Sequence, residues 1–534
     1  MNFHNYPFPS QRMPVFSENG MVATSHPLAA QAGLTMLQRG GNAVDAAIAA
    51  AVALTVVEPT SNGIGGDAFA LIWDGEELHG LNASGQSPAT LDADSIRAEG
   101  HTTMPDYGWL TVTVPGAPAG WRDLHARFGK LPLADLMAPA IRYAEEGHPV
   151  APIVAFYWQK ALAKYLPLQD AAFAGWSATF APNGQAPQPG ERWRSPGHAQ
   201  TLRTLAKQGV DAFYQGTVAE EIVAFSEETG GLFQGDDFAT HQSRWVDPIH
   251  TNYRGYEVWE IPPNGQGLTA LIALAMLEGT DLPNYPHGSV EATHLQLEAM
   301  KLAFADASRY IADPEKADVP TQGLLDPDYI AQRRQLITEK ARMPEPGKPP
   351  QGGTVYLCTA DRDGMMVSYI QSNYAGFGSG VVVPGTGIAL QNRGAGFSLE
   401  PNHLNEAAGN KRPYHTIIPG FLTKGGEAVG PFGVMGGFMQ PQGHAQVVVG
   451  TVDYGLNPQA VLDAPRWRVE EGLDVSVEVG TPEHILRGLV ARGHAVTVPV
   501  DRGGFGRGQI IWRVDDGVLV AGSDMRTDGG AVGW

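Results

Sequence analysis

Apolar positions near the start of the chain recur at helical spacing. Leu28, Ala32, Met36 and Leu37 follow Pro27, and the pattern stops at Gly40-Gly41. Proline near the start and glycine past the end predict a helix between them. Asn42, with Asp45 three residues later, offers a cap for a second helix, the alanine-rich run that closes at Val57 before Glu58-Pro59. This run is apolar on every side, which predicts burial, and it falls short of the roughly 20 residues of a membrane span. Beyond it the stretch ALIWDGEELHGLNA reads as two strands about an Asp74-Gly75 turn. Between helix and strand lies SNGIGGDAF, residues 61–69. Its glycines suit either a tight crossing of backbones or a ligand-cradling loop, and glycine's freedom explains them without a ligand.

From Leu133 to Arg342 helical patterns alternate with Pro/Gly breaks and no fixed period recurs; Val290 to Ile311 is the longest amphipathic stretch, with Leu295, Met300, Leu302 and Phe304 on its apolar side. Residues 344–353, PEPGKPPQGG, are mostly Pro and Gly and predict no regular element. Strands follow at once: TVYLCTA, a turn at DRDG, then MMVSYIQS. Folding this hairpin about Asp363-Gly364 brings Thr354 opposite the stretch Gln371 to Asn373, to within about one residue. A threonine and a serine hydroxyl then meet at one strand end. Thr354 either simply begins a strand or becomes a new N-terminus by a cut after Gly353. In the second case it carries a nucleophile and, in its α-amine, a base of pKa about 7.7–8.0. Gly352-Gly353 would admit the distorted backbone that an N-to-O acyl shift needs.

Composition narrows the function classes. The 534 residues hold 36 Lys and Arg against 56 Asp and Glu, a net charge of −20, and no basic run. Such a chain has no surface for neutralising phosphates, so neither nucleic acid nor an anionic membrane is an expected partner. Glycine and proline, 66 and 40 residues, stay below the roughly 25–30% that marks disorder, and with 43% hydrophobic residues the chain reads as globular. Cys358 is the one cysteine, which forbids an intrachain disulfide and a cysteine zinc cage. It shares a strand face with Thr354 and reads as a buried structural thiol. The 16 histidines show no metal-ligand spacing, and neither metal nor cofactor is expected. The first residues show no basic segment followed by an apolar one, so a cytoplasmic protein is expected.

The block GMVATSHPLAAQAGLTMLQRGGNAVDAAIAAAVALTVVEPTSNGIGGDAF, then GGTVYLCTADRDGMMVSYIQS, FGSG, NKRPYHTIIP, VMGGF, VDYGLNPQAVLDAPRW and GSDMRTDGGAVGW resemble, in order and almost end to end, the γ-glutamyltranspeptidases (glutathione hydrolases). The resemblance implies an α+β fold, the four-layer αββα sandwich of N-terminal-nucleophile hydrolases with helical additions. It also implies a proenzyme that cuts itself before Thr354. Residues 1–353 become a large chain ending in the processing linker 344–353, and 354–534 become a small catalytic chain. Thr354 matches the nucleophile, Ser372 a residue whose hydroxyl contacts it, and Gly436 and Gly437 the pair whose N–H groups form an oxyanion hole. Taken alone, Gly436-Gly437 reads as an ordinary turn.

The resemblance breaks where the glutathione-cleaving members hold the α-carboxylate and α-amine of a γ-glutamyl group. Ser84 stands in place of an arginine, and Gly396 in place of the amine-binding aspartate. His415-Thr416 replace a double serine, Tyr374 replaces an asparagine, and Arg393 arrives where a neutral amide is usual. This pattern resembles the branch of glutaryl-type cephalosporin acylases, oxamate amidohydrolase and glutathione-hydrolase-like proteins. The segment from Phe397 to Lys411 is short, which implies that a lid over the acyl pocket is lacking. The expected substrate is a small amide whose acyl part bears a carboxylate. Arg393 is either the group that meets it, with His415 as a second candidate, or part of an ion pair; Tyr374, His415, Thr416 and Ser84 are expected to line the substrate site with it, His415 as a hydrogen-bonded pocket wall and not a base. Two alternatives remain: a true γ-glutamyl transferase or glutathione hydrolase, and an uncleaved binding protein. A serine-hydrolase elbow at Gly376 to Gly380 places Ser379 wrongly, and Gly63-Ile64-Gly65-Gly66 lacks the preceding strand of a dinucleotide site.

Overall fold

Two seven-stranded antiparallel sheets occupy the centre of the computed structural model, which describes residues 12–344 and 354–534. In chain order their strands are β1 (Val15–Ser17), β2 (Gly20–Thr24), β3 (Asp67–Trp73), β4 (Leu78–Ala83), β5 (Arg244–Val246), β6 (Ile249–Tyr253), β7 (Tyr256–Glu260), β8 (Val355–Asp361), β9 (Met366–Ser372), β10 (Gly420–Lys424), β11 (Glu427–Met435), β12 (Arg507–Arg513), β13 (Leu519–Ser523) and β14 (Gly530–Gly533). One sheet runs β14-β2-β8-β9-β3-β4-β5 and the other β1-β13-β12-β11-β10-β7-β6.

Side chains on a strand alternate between faces, and the layers follow from that period. On β8, Tyr356, Cys358 and Ala360 enter the core between the sheets with Phe69, Leu71, Phe421 and Ile511. Their neighbours Val355 and Leu357 pack the other way, against α1 (Pro27–Gln38) and α2 (Ala43–Val57). The second sheet is covered on its outer face by α3 (Gly267–Glu278), α4 (Val290–Tyr310) and α5 (Met439–Val452). The result is the expected four-layer αββα sandwich. α2 is buried along its whole length, and a reciprocal capping box between Asn42 and Asp45 starts it. The thiol of Cys358 is fully buried and burial pushes its pKa up, as suits a structural cysteine. No described helix is long and apolar enough to cross a membrane.

Both sheets mix strands from either side of residue 353, so two chains made by a cut there would share both sheets. The glycines of 61–69 make a tight crossing: a Cβ on Gly65 would stand 2.3 Å from the Ala389 carbonyl oxygen, and one on Gly66 2.6 Å from that of Ser372.

The C-terminal segment stabilises this architecture through a buried charge network. Arg466 and Arg526 both pair with Asp524, at 2.6 and 3.0 Å, and Arg526 also pairs with Glu478. Arg466 donates to the carbonyls of Phe505 and Gly506, and Gly506 lies against Gly436. Burial opposes ionisation of Asp524, but the two arginines outweigh it and hold the carboxyl at about 2. A carboxylate whose pKa falls on folding contributes stability above its ordinary value near 3.9, and that contribution is lost as pH drops from about 4 through 2. Asp524→Asn is therefore expected to lower the thermal midpoint at pH 7 markedly. The gap to wild type should narrow by about 2 kcal/mol as pH approaches 2, and a gap independent of pH would contradict this account.

Candidate active site

Pairing of Val355 with Gln371 and Tyr356 with Ile370 in the β8–β9 hairpin sets Thr354 opposite Ser372. The Thr354 hydroxyl donates to Ser372 Oγ at 3.3 Å, and both residues are fully buried. Ser372 Oγ also accepts the Tyr374 N–H at 2.7 Å. The row continues into the next strand, where Ser372 pairs with Asp67 at the start of β3. By the two-residue period Thr354, Ser372 and Asp67 share the inter-sheet face of one sheet end. Gly353 lies outside the described residues.

Facing this row, β11 ends at Met435 and α5 begins at Met439. Gly436 and Gly437 turn the chain between them at φ 137° and 61°, backbone that glycine adopts readily. The turn sits at a helix N-terminus, where unpaired N–H groups and the helix dipole favour negative charge. Gln266 Nε2 holds the Gly437 carbonyl at 2.9 Å and the Thr416 carbonyl at 2.6 Å. Gln440, which the sequence reading passed over, sits in the first turn of α5 and donates from Nε2 to Thr354 Oγ1 at 3.3 Å. Its place three residues after Gly437 is the one sequence signal that points to it.

Asp67 is a second residue that the sequence reading missed. Its Oδ1 accepts from the N–H groups of Gly85 and Gly116 and from Gln391 Nε2, at 3.1, 3.0 and 2.9 Å. Its Oδ2 stands 3.0 Å from His415 Nε2. Burial, followed by the charge of Arg393, brings the His415 pKa down to about 4. The ring is therefore neutral near pH 7, with its Nε2 proton on Asp67. Both ring nitrogens are thus engaged, which leaves none free for base catalysis, since Nδ1 accepts from Ile417 N at 3.4 Å.

Arg393 is fully buried. Its Nη1 donates to Thr416 Oγ1 at 2.6 Å, and its guanidinium stacks on Tyr374, 4.3 Å from the ring centroid. Tyr374 itself sits at φ 75°. Among the described residues, Nε and Nη2 of Arg393 have no hydrogen-bond partner. Burial lowers its pKa to about 10, with Tyr374 and Asp67 acting the other way, so it stays cationic at neutral pH. Among the described residues no carboxylate bonds to it directly, and the carboxylate charge acting on it is that of Asp67. The Ser84 hydroxyl donates to Asn82 Oδ1 at 2.7 Å and accepts from Asn264 Nδ2 at 3.4 Å, and its carbonyl accepts from Arg412 Nε at 3.0 Å. Ser379 Oγ merely ties its own turn to the Leu390 carbonyl at 2.7 Å.

A cavity of about 300 Å³ opens beside Gly436 and Ala375, walled by Tyr157 and Tyr165 and carrying Arg468 and Arg507. Thr354 and Arg393 do not reach its wall. Elsewhere the fold gathers His294, Glu298 and His494, a grouping that chain spacing concealed. Lys301 pairs with Glu298 there, so a cationic side chain already serves that carboxylate.

Residues 29–534 match the family described as Gamma-glutamyltranspeptidase. The chain belongs to this family and is an enzyme of its amide-hydrolysing and acyl-transferring class, on the N-terminal-nucleophile hydrolase fold. Among curated proteins it is 37% identical over 529 residues to the glutathione hydrolase-like YwrD proenzyme of Bacillus subtilis (strain 168), covering 97% of this chain and 99% of that one. It is 35% identical over 534 residues to the oxamate amidohydrolase proenzyme of Klebsiella pneumoniae, with 97% and 99% covered. The crystal structure of a cephalosporin acylase from Bacillus halodurans superposes with a TM-score of 0.96 at 55% identity, over 100% of this chain and 99% of that one.

Proposed function

We propose that the chain is a self-processing amidohydrolase that uses Thr354 as an N-terminal nucleophile on amides whose acyl part bears a carboxylate. Cleavage after Gly353 frees the Thr354 α-amine, leaving residues 1–353 and 354–534 as two chains of one interleaved unit. The amine takes the proton of Thr354 Oγ1 as that oxygen attacks the amide carbonyl. The N–H groups of Gly436 and Gly437 stabilise the oxyanion, at about 2.7–4 kcal/mol for each donor. The C–N bond breaks with a proton delivered to the leaving amine, and water then releases the acid from the Thr354 ester.

Arg393 carries the substrate reading. A fully buried guanidinium with two uncommitted nitrogens is costly, and a carboxylate is the group that completes it bidentately. With Gly396 in place of an aspartate, the site has no side chain there for an α-ammonium. The kinship to an oxamate amidohydrolase and a cephalosporin acylase supports the same direction, since oxamate is itself an amide with a carboxylate on its acyl part. The expected result is that glutaryl p-nitroanilide is hydrolysed with kcat/KM at least about tenfold above that of γ-glutamyl p-nitroanilide, the size of one lost ionic contact. Equal turnover of the two would instead favour a glutathione hydrolase.

A further inference from the structure

We infer that Gln440 is a catalytic residue that aims and polarises the attacking oxygen of Thr354. The inference rests on Thr354 being the nucleophile and goes beyond that assignment. Gln440 is fully buried. Its Oε1 accepts the Ile418 N–H at 2.9 Å. Only the oxygen of an amide can accept, so this contact fixes which way the side chain faces and turns Nε2 toward Thr354 Oγ1, 3.3 Å away. The backbone is equally constrained. The Gln440 N–H bonds to the Gly437 carbonyl at 3.1 Å, and Pro441 follows in the first helical turn, where no intrahelical N–H bond is lost to proline. One rigid turn thus carries both the Gly436-Gly437 pair and the amide that touches the nucleophile.

Thr354 Oγ1 therefore has two side-chain contacts of opposite sense. It receives a proton donor from Gln440 and gives its own proton toward Ser372 Oγ at 3.3 Å. Because Nε2 can only donate, it takes one lone pair of Oγ1 and keeps the hydroxyl hydrogen on the far side, where the freed α-amine can collect it. As Oγ1 loses this proton, the Nε2 contact stabilises its transient alkoxide character; once the bond to the acyl carbon forms, the negative charge passes to the carbonyl oxygen that faces Gly436 and Gly437. When water later attacks the ester, the C–Oγ1 bond breaks and Oγ1 leaves with developing charge that the same N–H meets. The α-amine, neutral again after protonating the leaving amine, takes a proton from the attacking water and returns it to Oγ1. Self-cleavage uses the same oxygen, so Gln440 assists there as well.

The test uses the processed enzyme, glutaryl p-nitroanilide as probe, and rates expressed per cleaved active site counted by intact mass. Gln440→Leu is expected to lower kcat about 10–100-fold, with KM changed less than about threefold. Gln440→Glu keeps the shape and makes donation depend on protonation. Burial at this position favours the protonated carboxyl, so the variant's rate relative to wild type should be highest at low pH and fall at least about tenfold by pH 9, where a carboxylate faces Oγ1. A merely structural glutamine would give no such pH-dependent ratio. A Gln440→Leu rate within about twofold of wild type, or a Gln440→Glu ratio that is flat with pH, overturns the inference. A folded Gln440→Leu chain that stays uncut supports it, since cleavage draws on the same oxygen. Thr354→Ala in the same assay separates the two levels. Activity retained there would overturn the nucleophile assignment itself, whereas an inactive Thr354→Ala beside unimpaired Gln440 variants overturns only the role of Gln440.

Discussion

Thr354→Ala is expected to give one uncut chain of 534 residues and to lose amide hydrolysis by at least about 10⁴-fold, as removal of a nucleophile does in other acyl-transfer enzymes. The wild-type chain should appear by intact mass as pieces of 353 and 181 residues. Both effects come from one atom. In the proposed mechanism the hydroxyl that attacks the Gly353 carbonyl during processing later attacks substrate, and the amine that serves as base exists only after the cut. Thr354→Ser keeps the hydroxyl and should both process and turn over, more slowly where the lost methyl loosens packing in a site that is fully buried. A Thr354→Ala chain that still splits at this bond, or still hydrolyses substrate, would remove Thr354 from the mechanism.

Replacing Arg393 by methionine should lower kcat/KM for carboxylate-bearing amides by about 10²–10³-fold, chiefly through KM. Amides without that carboxylate should be affected far less. The stability change should have the opposite sign. Arg393 is buried with a stacked Tyr374 and one hydroxyl partner, and no carboxylate bonds to it among the described residues. A hydrophobic side chain of similar volume avoids the cost of an unpaired buried cation. The thermal midpoint of Arg393→Met should therefore match or exceed that of wild type, while activity falls. Loss of stability with activity on carboxylate substrates intact would mark Arg393 as structural.

The parts of the site that could be read along the chain are those set by short-range rules. A single Asp-Gly turn with alternating apolar residues on both sides fixes the register that brings Thr354 to Ser372, and hydrogen-bond pairing places them there. Glycine at Gly436 and Gly437 follows from backbone at positive φ between a strand and a helix. The cap at Asn42 and the proline at Pro27 bound the two helices that cover β8. Asp67 was passed over because a single aspartate after Gly66 carries no pattern. Its role comes from four donors drawn from residues 85, 116, 391 and 415.

Local periodicity and turn chemistry were thus enough to bring Thr354 beside Ser372, because that pairing depends on residues close in the chain, whereas the four-layer arrangement was legible only through the order of the motifs and the family they resemble. Which polar groups surround Thr354 depended instead on how the second sheet and α5 pack across the first. Gln440 lies 86 residues from Thr354, and His415 lies 348 from Asp67. The property of Arg393 on which the proposed substrate rests is the lack of a described partner for two of its nitrogens. No local pattern encodes that, since it arises only when every surrounding side chain has been placed.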